Sequence, residues 1–278
     1  MTFPRPATTR AVILARGLGT RMRRSDGTAL SDVERAAAES GQKAMMPLGS
    51  VERPFLDFVL SALADAGMGE VVLVIGPQQG QVRDRYTQTA PPRRLTVRFV
   101  VQDQPRGTAD AVFAARDAVR NAPFLVVNAD NYYSPATLRV ASGLQSCGLV
   151  AFEAETLARE SGIPAERILR YALLDIGADD ALLAVREKPM PDDPLATAAE
   201  RWVSMNLWSF TPVIFEACQR VLPSSRGELE LQDAVTIAMR DMGVRFTVVR
   251  ERAAVLDLSH RGDIALVRDR LAGVVPAP

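Results

Sequence analysis

The sequence predicts an α/β fold, in which a Rossmann-like, mixed and mostly parallel central sheet is flanked by helices. Three observations support this prediction. Continuous apolar runs, such as residues 11–14 and 71–75, have the length and composition of buried strands. Stretches with helical apolar spacing, such as residues 55–66, separate these runs. Glycine or polar residues follow the runs, as Gly17 and Gly76 do, which is typical of ligand-binding loops at the carboxyl ends of strands.

The first half of the chain shows a regular alternation of predicted elements. Strands are predicted over residues 11–14, 71–75, 95–101 and 124–127. Helices are predicted over residues 31–39, 55–66 and 108–119. Ser31 and Glu34 form a capping box at the start of the first helix, and Thr108 is the expected cap of the third.

The second half is less regular. Strands are predicted over residues 149–152, 170–176, 181–186, 203–210, 245–249 and 253–256, and helices over residues 212–221, 231–242 and from about residue 263. No linker rich in proline or glycine separates the halves. The sequence therefore predicts one domain, residues 1–278, with two lobes.

The composition limits the class of protein. Acidic and basic residues number 33 each, so no net charge attracts nucleic acid or an anionic membrane surface. His260 is the only histidine, and Cys147 and Cys218 are the only cysteines, which argues against a histidine-based triad, a zinc site and a disulfide framework. No signal segment and no run of 18 apolar residues is evident. We expect a cytoplasmic protein that binds neither nucleic acid nor membrane.

A glycine-rich turn follows the first predicted strand, in the stretch Leu14-Ala-Arg-Gly-Leu-Gly-Thr-Arg21. Glycines let the backbone curl around a ligand and present its N–H groups, and phosphate oxygens are common ligands of such turns. Met22 stands where a dinucleotide-binding motif needs its third glycine, and Arg21 stands where a P-loop needs lysine. The turn therefore matches neither of these two common motifs.

Further short motifs follow in order along the chain. They are Lys43 before Pro47, Gln102 with Gly107-Thr-Ala-Asp-Ala111, Asn128-Ala-Asp130, Glu187-Lys-Pro189, Asn206, Gly227-Glu-Leu-Glu-Leu231 and Asp257. Each motif is weak alone, but eight motifs in one order gain weight from their context. Together they resemble the nucleotidyltransferase family that joins a sugar 1-phosphate to a nucleoside triphosphate (NTP) and releases pyrophosphate. The resemblance extends over nearly the whole chain.

This resemblance implies a GT-A-like nucleotidyltransferase fold, a sugar-1-phosphate nucleotidylyltransferase activity and Mg²⁺ as cofactor. It implies a nucleotide-binding half, residues 1–131, and a sugar-phosphate-binding half, residues 132–278. Arg21 and Lys43 would neutralise phosphate charge, and Lys188 would hold the sugar's phosphate. These three are the catalytic candidates. The NTP would be bound by Leu14, Ala15, Gly17, Gly19, Thr20, Gln102, Gly107 and Thr108.

The resemblance also implies a sugar-phosphate site and a metal site. The sugar 1-phosphate would be bound by Asn128, Glu187, Lys188, Asn206 and Glu230. Asp130 and Asp257 supply hard oxygen ligands, and the resemblance implies that they hold Mg²⁺ between the two substrates. No protein nucleophile is required, because phosphate monoesters have a second pKa of about 6 and are mostly ionised at neutral pH. The implied partners are NTP and sugar 1-phosphate, and a homo-oligomer is left open.

The nucleobase is not settled by these residues. Gln102 has an amide that both donates and accepts hydrogen bonds, so it does not choose between bases. We expect UTP or dTTP, with uridine favoured, and the alternative is GTP with a mannose- or heptose-type phosphate. A non-catalytic sensor of sugar nucleotides is an alternative from another class. The presence of both acidic residues and both triphosphate cations argues against it.

Two features depart from the family pattern. Arg16 stands where the family usually has glycine or alanine. Its side chain either adds a cation beside the triphosphate or points away from it. The polar stretch of residues 25–42 is longer than in the short enzymes of this family. It is interpreted either as a mobile lid or, with slight preference, as a solvated excursion.

Overall fold

The computed structural model of the protein describes residues 8–48 and 53–278, so the N-terminal segment, which is expected not to be a signal peptide, lies outside the described residues. The strands are β1 Arg10–Leu14, β2 Pro47–Leu48, β3 Arg53–Pro54, β4 Glu70–Ile75, β5 Thr96–Val101, β6 Phe124–Asn128, β7 Asn131–Tyr133, β8 Gly148–Glu153, β9 Ala172–Ile176, β10 Leu182–Arg186, β11 Trp202–Phe210, β12 Thr247–Glu251 and β13 Val255–Asp257.

The helices are α1 Thr20–Arg23, α2 Asp32–Ser40, α3 Phe55–Asp65, α4 Gly80–Asp84, α5 Thr108–Ala114, α6 Arg116–Val119, α7 Pro135–Ser142, α8 Ala154–Ser161, α9 Ala165–Ile168, α10 Pro194–Thr197, α11 Val213–Arg220, α12 Leu231–Met242 and α13 Asp263–Leu271. A 3₁₀ turn covers Lys43–Met45, and a π-helical turn covers Arg85–Thr89. Among the described residues, no helix is both long enough and apolar enough to cross a membrane.

A mixed sheet forms the centre of the described part of the chain. Its main strand order is β10-β9-β11-β6-β1-β4-β5, and β8 joins β11 to β12. Strands β6, β1, β4 and β5 run parallel, whereas β11 is antiparallel to β6, β8 and β9. The predicted α/β fold is therefore confirmed, with its parallel part in the first half of the chain. The functional division into two halves stays a prediction.

Both faces of the parallel part are covered by apolar side chains. Ala11 and Ile13 of β1 belong to one buried cluster, together with Phe58 of α3. Val12 of the same strand belongs to the opposite cluster, together with Val112 of α5. All five side chains are fully buried. This two-sided burial explains why the strands appear in the sequence as continuous apolar runs.

The insertion between the glycine-rich turn and Lys43 is a packed helix. The Ser31 side chain accepts a hydrogen bond from the Glu34 N–H group, and the Glu34 carboxylate accepts from the Ser31 N–H group. Glu34 is buried and pairs with Arg268 of α13 at 3.1 Å. The predicted capping box is present. Most residues of the 25–42 stretch are exposed, which agrees with the solvated excursion, although the buried Glu34 and Ala38 attach α2 to the rest of the protein. The mobile lid stays a prediction. The ion pair holds α2 against the last helix.

The predicted helix over residues 108–119 also needs correction. It consists of α5 and α6, with a break at Ala115. Gly107, with a φ of 121°, is the residue that precedes α5, and no side-chain cap is present. The Thr108 hydroxyl instead accepts a hydrogen bond from Leu231 N at 2.9 Å. Thr108 therefore caps the start of α12, which is distant in sequence, and not its own helix.

A small antiparallel pair of strands brings distant acidic residues together. Strands β7 and β13 pair so that Asn131 lies opposite Asp257. Leu258 N also donates to Asp130 O at 2.8 Å. Neither the pairing nor β7 was predicted, because three-residue strands give no periodic signal. This pairing places the two predicted metal ligands in neighbouring segments.

Candidate active site

A cavity of about 410 Å³ opens at the carboxyl ends of strands β1, β5 and β6. This is the edge at which open α/β sheets generally bind ligands. Ten of the predicted site residues line it, namely Leu14, Ala15, Gly17, Thr20, Lys43, Gln102, Gly107, Thr108, Asn128 and Asp130. Gly19 and Arg21 do not line this cavity. Most of the predicted nucleotide-side residues therefore lie around a single space.

One end of the cavity carries an ion pair. Lys43 Nζ donates to Asp130 Oδ2 at 2.9 Å, and the two side chains are 17% and 26% exposed. Lys43 begins the 3₁₀ turn after the insertion, and Asp130 lies in the turn between β6 and β7. Both charges face the same space. A cation and a carboxylate at this position can bind phosphate oxygens and a divalent metal, respectively.

The other end of the cavity carries the Gln102 amide. Its Nε2 donates to Gly107 O at 3.0 Å and to Asp110 Oδ2 at 2.7 Å. Because a carboxylate and a carbonyl only accept, these two contacts assign the NH₂ group to the side of Asp110. Gln102 Oε1 has no hydrogen-bond partner within residues 8–48 and 53–278. It is left as an acceptor at the cavity wall.

The segment that follows Gln102 is held by a second segment from the other half of the chain. Leu229 N donates to Arg106 O at 2.6 Å, and Ala109 N donates to Leu229 O at 2.9 Å. A Cβ at Gly107 would lie 2.5 Å from Leu229 O, so only glycine fits between these backbones. Residues 102–108, named the base-side segment because base recognition is predicted there, are therefore tied to residues 227–231, which include the predicted sugar-side residue Glu230.

The glycine-rich turn is supported from below by a buried arginine. Arg261 is 7% exposed, and its guanidinium donates to Met22 O at 2.9 Å and Arg23 O at 3.2 Å. Gly19, with a φ of 62°, begins α1 and lies against Gly41 without room for a side chain. Arg21 itself is exposed on α1. The turn is thus held in place, while its arginine is free to reach a ligand.

Asp257 lies in a closed hydrogen-bond network. Arg167, Tyr171 Oη at 2.6 Å, Ser259 Oγ at 2.9 Å and Asn131 Nδ2 at 3.4 Å all donate to its carboxylate. Burial, and then the charge of Asp130, raise the pKa of Asp257. The two carboxylates therefore repel each other, although Arg167 offsets part of this repulsion.

These two aspartates fit a hard divalent cation. Both provide oxygen donors, and their mutual repulsion would be relieved by a cation between them. The described residues contain no group of three or more histidine, cysteine, aspartate or glutamate side chains arranged so that it could hold a metal ion by itself. A metal at this position would therefore complete its coordination with substrate oxygens and water, as Mg²⁺ commonly does.

Desolvation affects the only histidine in the chain. Partial burial, followed by the charge of Arg167, lowers the pKa of His260. Its backbone N–H donates to Asp263 Oδ2 at 2.7 Å. His260 lies beside the Asp257 network without a contact to the aspartate pair, and no catalytic role is assigned to it.

Except for Asn128, which lines the cavity, the predicted sugar-side residues lie outside it. Glu187 is accessible to solvent, but protein atoms surround part of its side chain. The resulting desolvation, followed by the charge of Glu230, raises the pKa of Glu187. Glu230 pairs with Arg226 at 2.6 Å. Lys188 has a positive φ of 45°. The structure thus brings Glu187, Lys188 and Glu230 together.

Asn206 lies at an irregularity in strand β11. Its φ is 62°, and the pairing of β11 with β8 shifts register between Ser204 and Trp208. Asn206 Oδ1 accepts from Gln232 Nε2 of α12 at 3.2 Å. A left-handed residue inside a strand re-aims its side chain, and such positions are frequent at functional sites.

Sequence reasoning missed several residues of these sites. Gln42 lines the cavity, and its Oε1 is buried without a hydrogen-bond partner among the described residues. Gln79 also lines it and donates to Ala15 O at 3.0 Å. Gln42 directly precedes Lys43 in the sequence, and this position beside a predicted site residue was the available signal. Arg167 and Tyr171 gave no signal, because their contact with Asp257 depends on the tertiary fold.

Comparison with known proteins identifies the family. A family model described as nucleotidyl transferase matches residues 10–259. The chain belongs to the nucleotidyl transferase family. This result agrees with the resemblance that the ordered motifs carry, and the family model extends from strand β1 to the Asp257 turn.

Two curated relatives of this nucleotidyl transferase come from Haloferax volcanii. The low-salt glycan biosynthesis nucleotidyltransferase Agl11 is 23% identical over 84% of this chain and 57% of its own length. The UTP–glucose-1-phosphate uridylyltransferase AglF is 25% identical over 94% of this chain and 96% of its own length. The chain spans about half the length of the first curated relatives that it matches.

A solved structure shows the same fold. The structure of a UDP-glucose pyrophosphorylase complexed with UDP-glucose superposes with a TM-score of 0.72 and 17% sequence identity. The match covers 94% of this chain and 97% of the other. The GT-A-like architecture that the resemblance implied is therefore confirmed for this nucleotidyl transferase.

Proposed function

We propose that this protein transfers a nucleotidyl group from UTP or dTTP to a hexose 1-phosphate and releases pyrophosphate. One observation carries the proposal: a single cavity has the Lys43–Asp130 ion pair at one end and the Gln102 acceptor at the other. An NTP has the same arrangement, with phosphates at one end and a hydrogen-bonding base at the other. The activity named for AglF and the ligand of the UDP-glucose complex support uridine and glucose 1-phosphate as the first substrates to test.

The proposed reaction is an in-line displacement. An oxygen of the sugar's phosphate attacks the α-phosphorus of the NTP and forms a new P–O bond. The bond from the α-phosphorus to the β-phosphate oxygen breaks, and its electron pair leaves with pyrophosphate. No proton transfer is needed, since the attacking oxygen is already ionised at neutral pH. The protein therefore contributes position and charge.

Each half of the site has a distinct task in this proposal. Lys43 and Arg21 neutralise triphosphate oxygens, and the turn at Gly17, Gly19 and Thr20 offers backbone N–H groups to them. Lys188 holds the phosphate of the sugar, which brings the attacking oxygen close to the α-phosphorus. The sugar hydroxyls bind Asn128, Glu187, Asn206 and Glu230.

Mg²⁺ is the proposed cofactor, with Asp130 and Asp257 as the residues that would hold it. When bound, it supplies positive charge to phosphate oxygens, which lowers the repulsion between two anionic substrates. Asp130 would exchange its contact with Lys43 for the metal, and Lys43 would then be free for phosphate. Asp257 is already oriented by Arg167 and Tyr171, so it acts as a fixed ligand.

The assigned amide orientation narrows the choice of base. An acceptor at Gln102 Oε1 fits a base edge with an N–H group, and a backbone N–H near Gly107 fits an adjacent carbonyl. Uracil and thymine have this edge, whereas cytosine has the reverse polarity. Guanine also has an N–H group beside a carbonyl, so this observation keeps GTP with a mannose- or heptose-type phosphate as the second candidate.

The test is a pyrophosphate-release assay with purified protein and Mg²⁺. UTP, dTTP, GTP, CTP and ATP are crossed with glucose, galactose, mannose and N-acetylglucosamine 1-phosphates. We expect release with UTP or dTTP and one hexose phosphate. Release with GTP alone would replace our first candidate by the second. Tight binding of a sugar nucleotide without release from any pair would indicate a non-catalytic sensor.

A further inference from the structure

Arg16 lies on the base side of the cavity and does not contact the Lys43–Asp130 pair. Its Nε donates to Gln102 O at 2.7 Å, and its Nη2 donates to Asp103 O at 3.0 Å. The side chain also lines the cavity wall. Of the two alternatives that the sequence left open for Arg16, the structure shows the second. The arginine points away from the predicted triphosphate end.

The side chain of Arg16 connects three neighbouring strand ends. It starts in the turn after β1, crosses Gly76 at the end of β4 and reaches the carbonyls that follow β5. A Cβ at Gly76 would lie 3.2 Å from Arg16 Cγ, so the arginine stem rests on the backbone of this glycine. The crossing is tight because Gly76 has no side chain.

Gln79 also contacts the backbone at this crossing. Gly76 N donates to Gln79 Oε1 at 2.6 Å, and Gln79 Nε2 donates to Ala15 O at 3.0 Å. The residue before Arg16 and the glycine beneath it are therefore both fixed by one amide. The guanidinium is held at a defined place before any ligand binds.

We propose that Arg16 is a positioning residue that determines base specificity. It fixes the base-side segment, residues 102–108. Gln102 can then discriminate between bases by the polarity of the hydrogen-bonding groups at their edges. Two hydrogen bonds from a charged donor fix the carbonyls of Gln102 and Asp103. The Gln102 side chain then starts from a fixed backbone, and Gly107 O and Asp110 fix its far end. Oε1 is thereby held as an acceptor, and a loosened segment would lose this orientation.

This inference rests on the proposed function for the identity of the ligand, and it makes a different prediction. UTP and CTP have nearly the same size and opposite polarity at the base edge, so their ratio of dissociation constants reports polarity. UTP and GTP share edge polarity and differ in size, so their ratio reports volume. If Arg16 acts by fixing the base-side segment, its removal changes the ratio of the UTP and CTP dissociation constants. If Arg16 acts only as part of the cavity wall, its removal changes the ratio of the UTP and GTP dissociation constants.

The experiment compares R16A and R16K with the unaltered protein and with R98A. Arg98 is an exposed residue of β5 that pairs with Glu70, so R98A removes an arginine near the segment without touching it. Dissociation constants for UTP, CTP and GTP are measured by calorimetry without a sugar phosphate. Hydrogen exchange of peptides covering residues 102–108 is measured by mass spectrometry without any ligand.

We expect R16A to lower the preference for UTP over CTP by about tenfold, which equals about 1.4 kcal/mol. Amide exchange in residues 102–108 should become faster in R16A, R16K should recover part of both effects, and R98A should change neither. A UTP-to-CTP ratio in R16A within about twofold of the unaltered protein would overturn the proposal. Tighter GTP binding by R16A with an unchanged UTP-to-CTP ratio would also overturn the proposal, because it would show that Arg16 acts only by limiting the volume of the cavity.

The proposed reaction and the proposed role of Arg16 can be contradicted independently of each other. Absence of pyrophosphate release with every substrate pair would contradict the proposed reaction, while nucleotide binding and hydrogen exchange would still test Arg16. Unchanged exchange and an unchanged UTP-to-CTP ratio in R16A, in a protein that does release pyrophosphate, would contradict only the role of Arg16.

Discussion

The predicted nucleotide end and the predicted sugar end of the site are built in different ways. At the predicted nucleotide end, Gly17 and Gln102 follow parallel strands of one sheet, so sheet topology alone places them at one edge. At the sugar end, Lys188 and Asn206 have positive φ angles of 45° and 62° in an antiparallel region. There, individual residues with a left-handed backbone conformation determine where their side chains point.

The difference shows how far each end tolerates change. Residues at parallel strand ends keep their places as long as the sheet forms, since the inner strands β1, β4 and β6 are buried on both faces. A non-glycine residue in the left-handed region is held by its surroundings at a cost of about 1–3 kcal/mol. We therefore expect substitutions to affect function mainly at the nucleotide end, and both function and stability at the sugar end.

The largest expected effect is that of D130A. The variant loses a proposed metal ligand and leaves Lys43 without its ion-pair partner, so kcat/KM for pyrophosphate release should fall by at least about 100-fold, or about 3 kcal/mol. D65A is the control. Asp65 is exposed on α3 and forms a salt bridge with Arg94. Retained release by D130A would remove Asp130 from the metal site.

The variant G107A tests the connection between the two ends. Its Cβ would overlap the Leu229 carbonyl, and its φ of 121° is strained for alanine, so we expect a loss of about 1–3 kcal/mol in stability and a higher KM for the NTP. G80A is a matched control, since a Cβ there meets nothing within 4 Å. Urea denaturation of both variants provides the measurement. Equal stability of G107A and G80A would contradict the tight approach of the two segments.

The variants N206G and N206A separate backbone from side chain at the sugar end. Both lose the amide, so KM for the sugar phosphate should rise while the dissociation constant for the NTP stays unchanged. Alanine should in addition lower stability by about 1 kcal/mol relative to glycine, because glycine accepts a positive φ. Thermal denaturation and substrate titrations check the two effects. A weaker NTP affinity in N206G would show that the two ends are not separate.

The smallest effect is expected for E187Q. The raised pKa of Glu187 means that the native state keeps this proton to a higher pH than the unfolded state does. As pH rises from the ordinary pKa of glutamate through the raised value, the unfolded state binds fewer protons, so the unaltered protein loses stability. The stability of E187Q relative to the unaltered protein should therefore increase with pH and then level off.

Denaturation curves of both proteins from about pH 4 to pH 8 test this dependence. A difference that is independent of pH would show that the pKa of Glu187 is the same in the native and the unfolded state, which would contradict the raised value. A difference that decreases with pH would mean that the pKa of Glu187 is lowered instead of raised.

The sequence was sufficient for the parts of the molecule that depend on local pattern. Continuous apolar runs indicated the parallel strands, and the capping box of Ser31 and Glu34 indicated α2. Topology then predicted that residues at strand ends would meet, as Gly17, Gln102 and Asp130 do around one cavity. Short elements such as β7 and the helix α9 were missed, because a segment of three or four residues is too short to show a periodic pattern of apolar residues.

The sequence by itself determined which residues form strands and helices and which polar residues follow them, because apolar periodicity and glycine act over a few positions. The tertiary structure alone decided how those residues are used. Arg16 binds a carbonyl 86 positions away, Gln102 is oriented by Asp110, and Asp257 is surrounded by donors from two other segments. A hydrogen bond depends on the distance and direction between two groups, and for distant residues only the completed fold sets them.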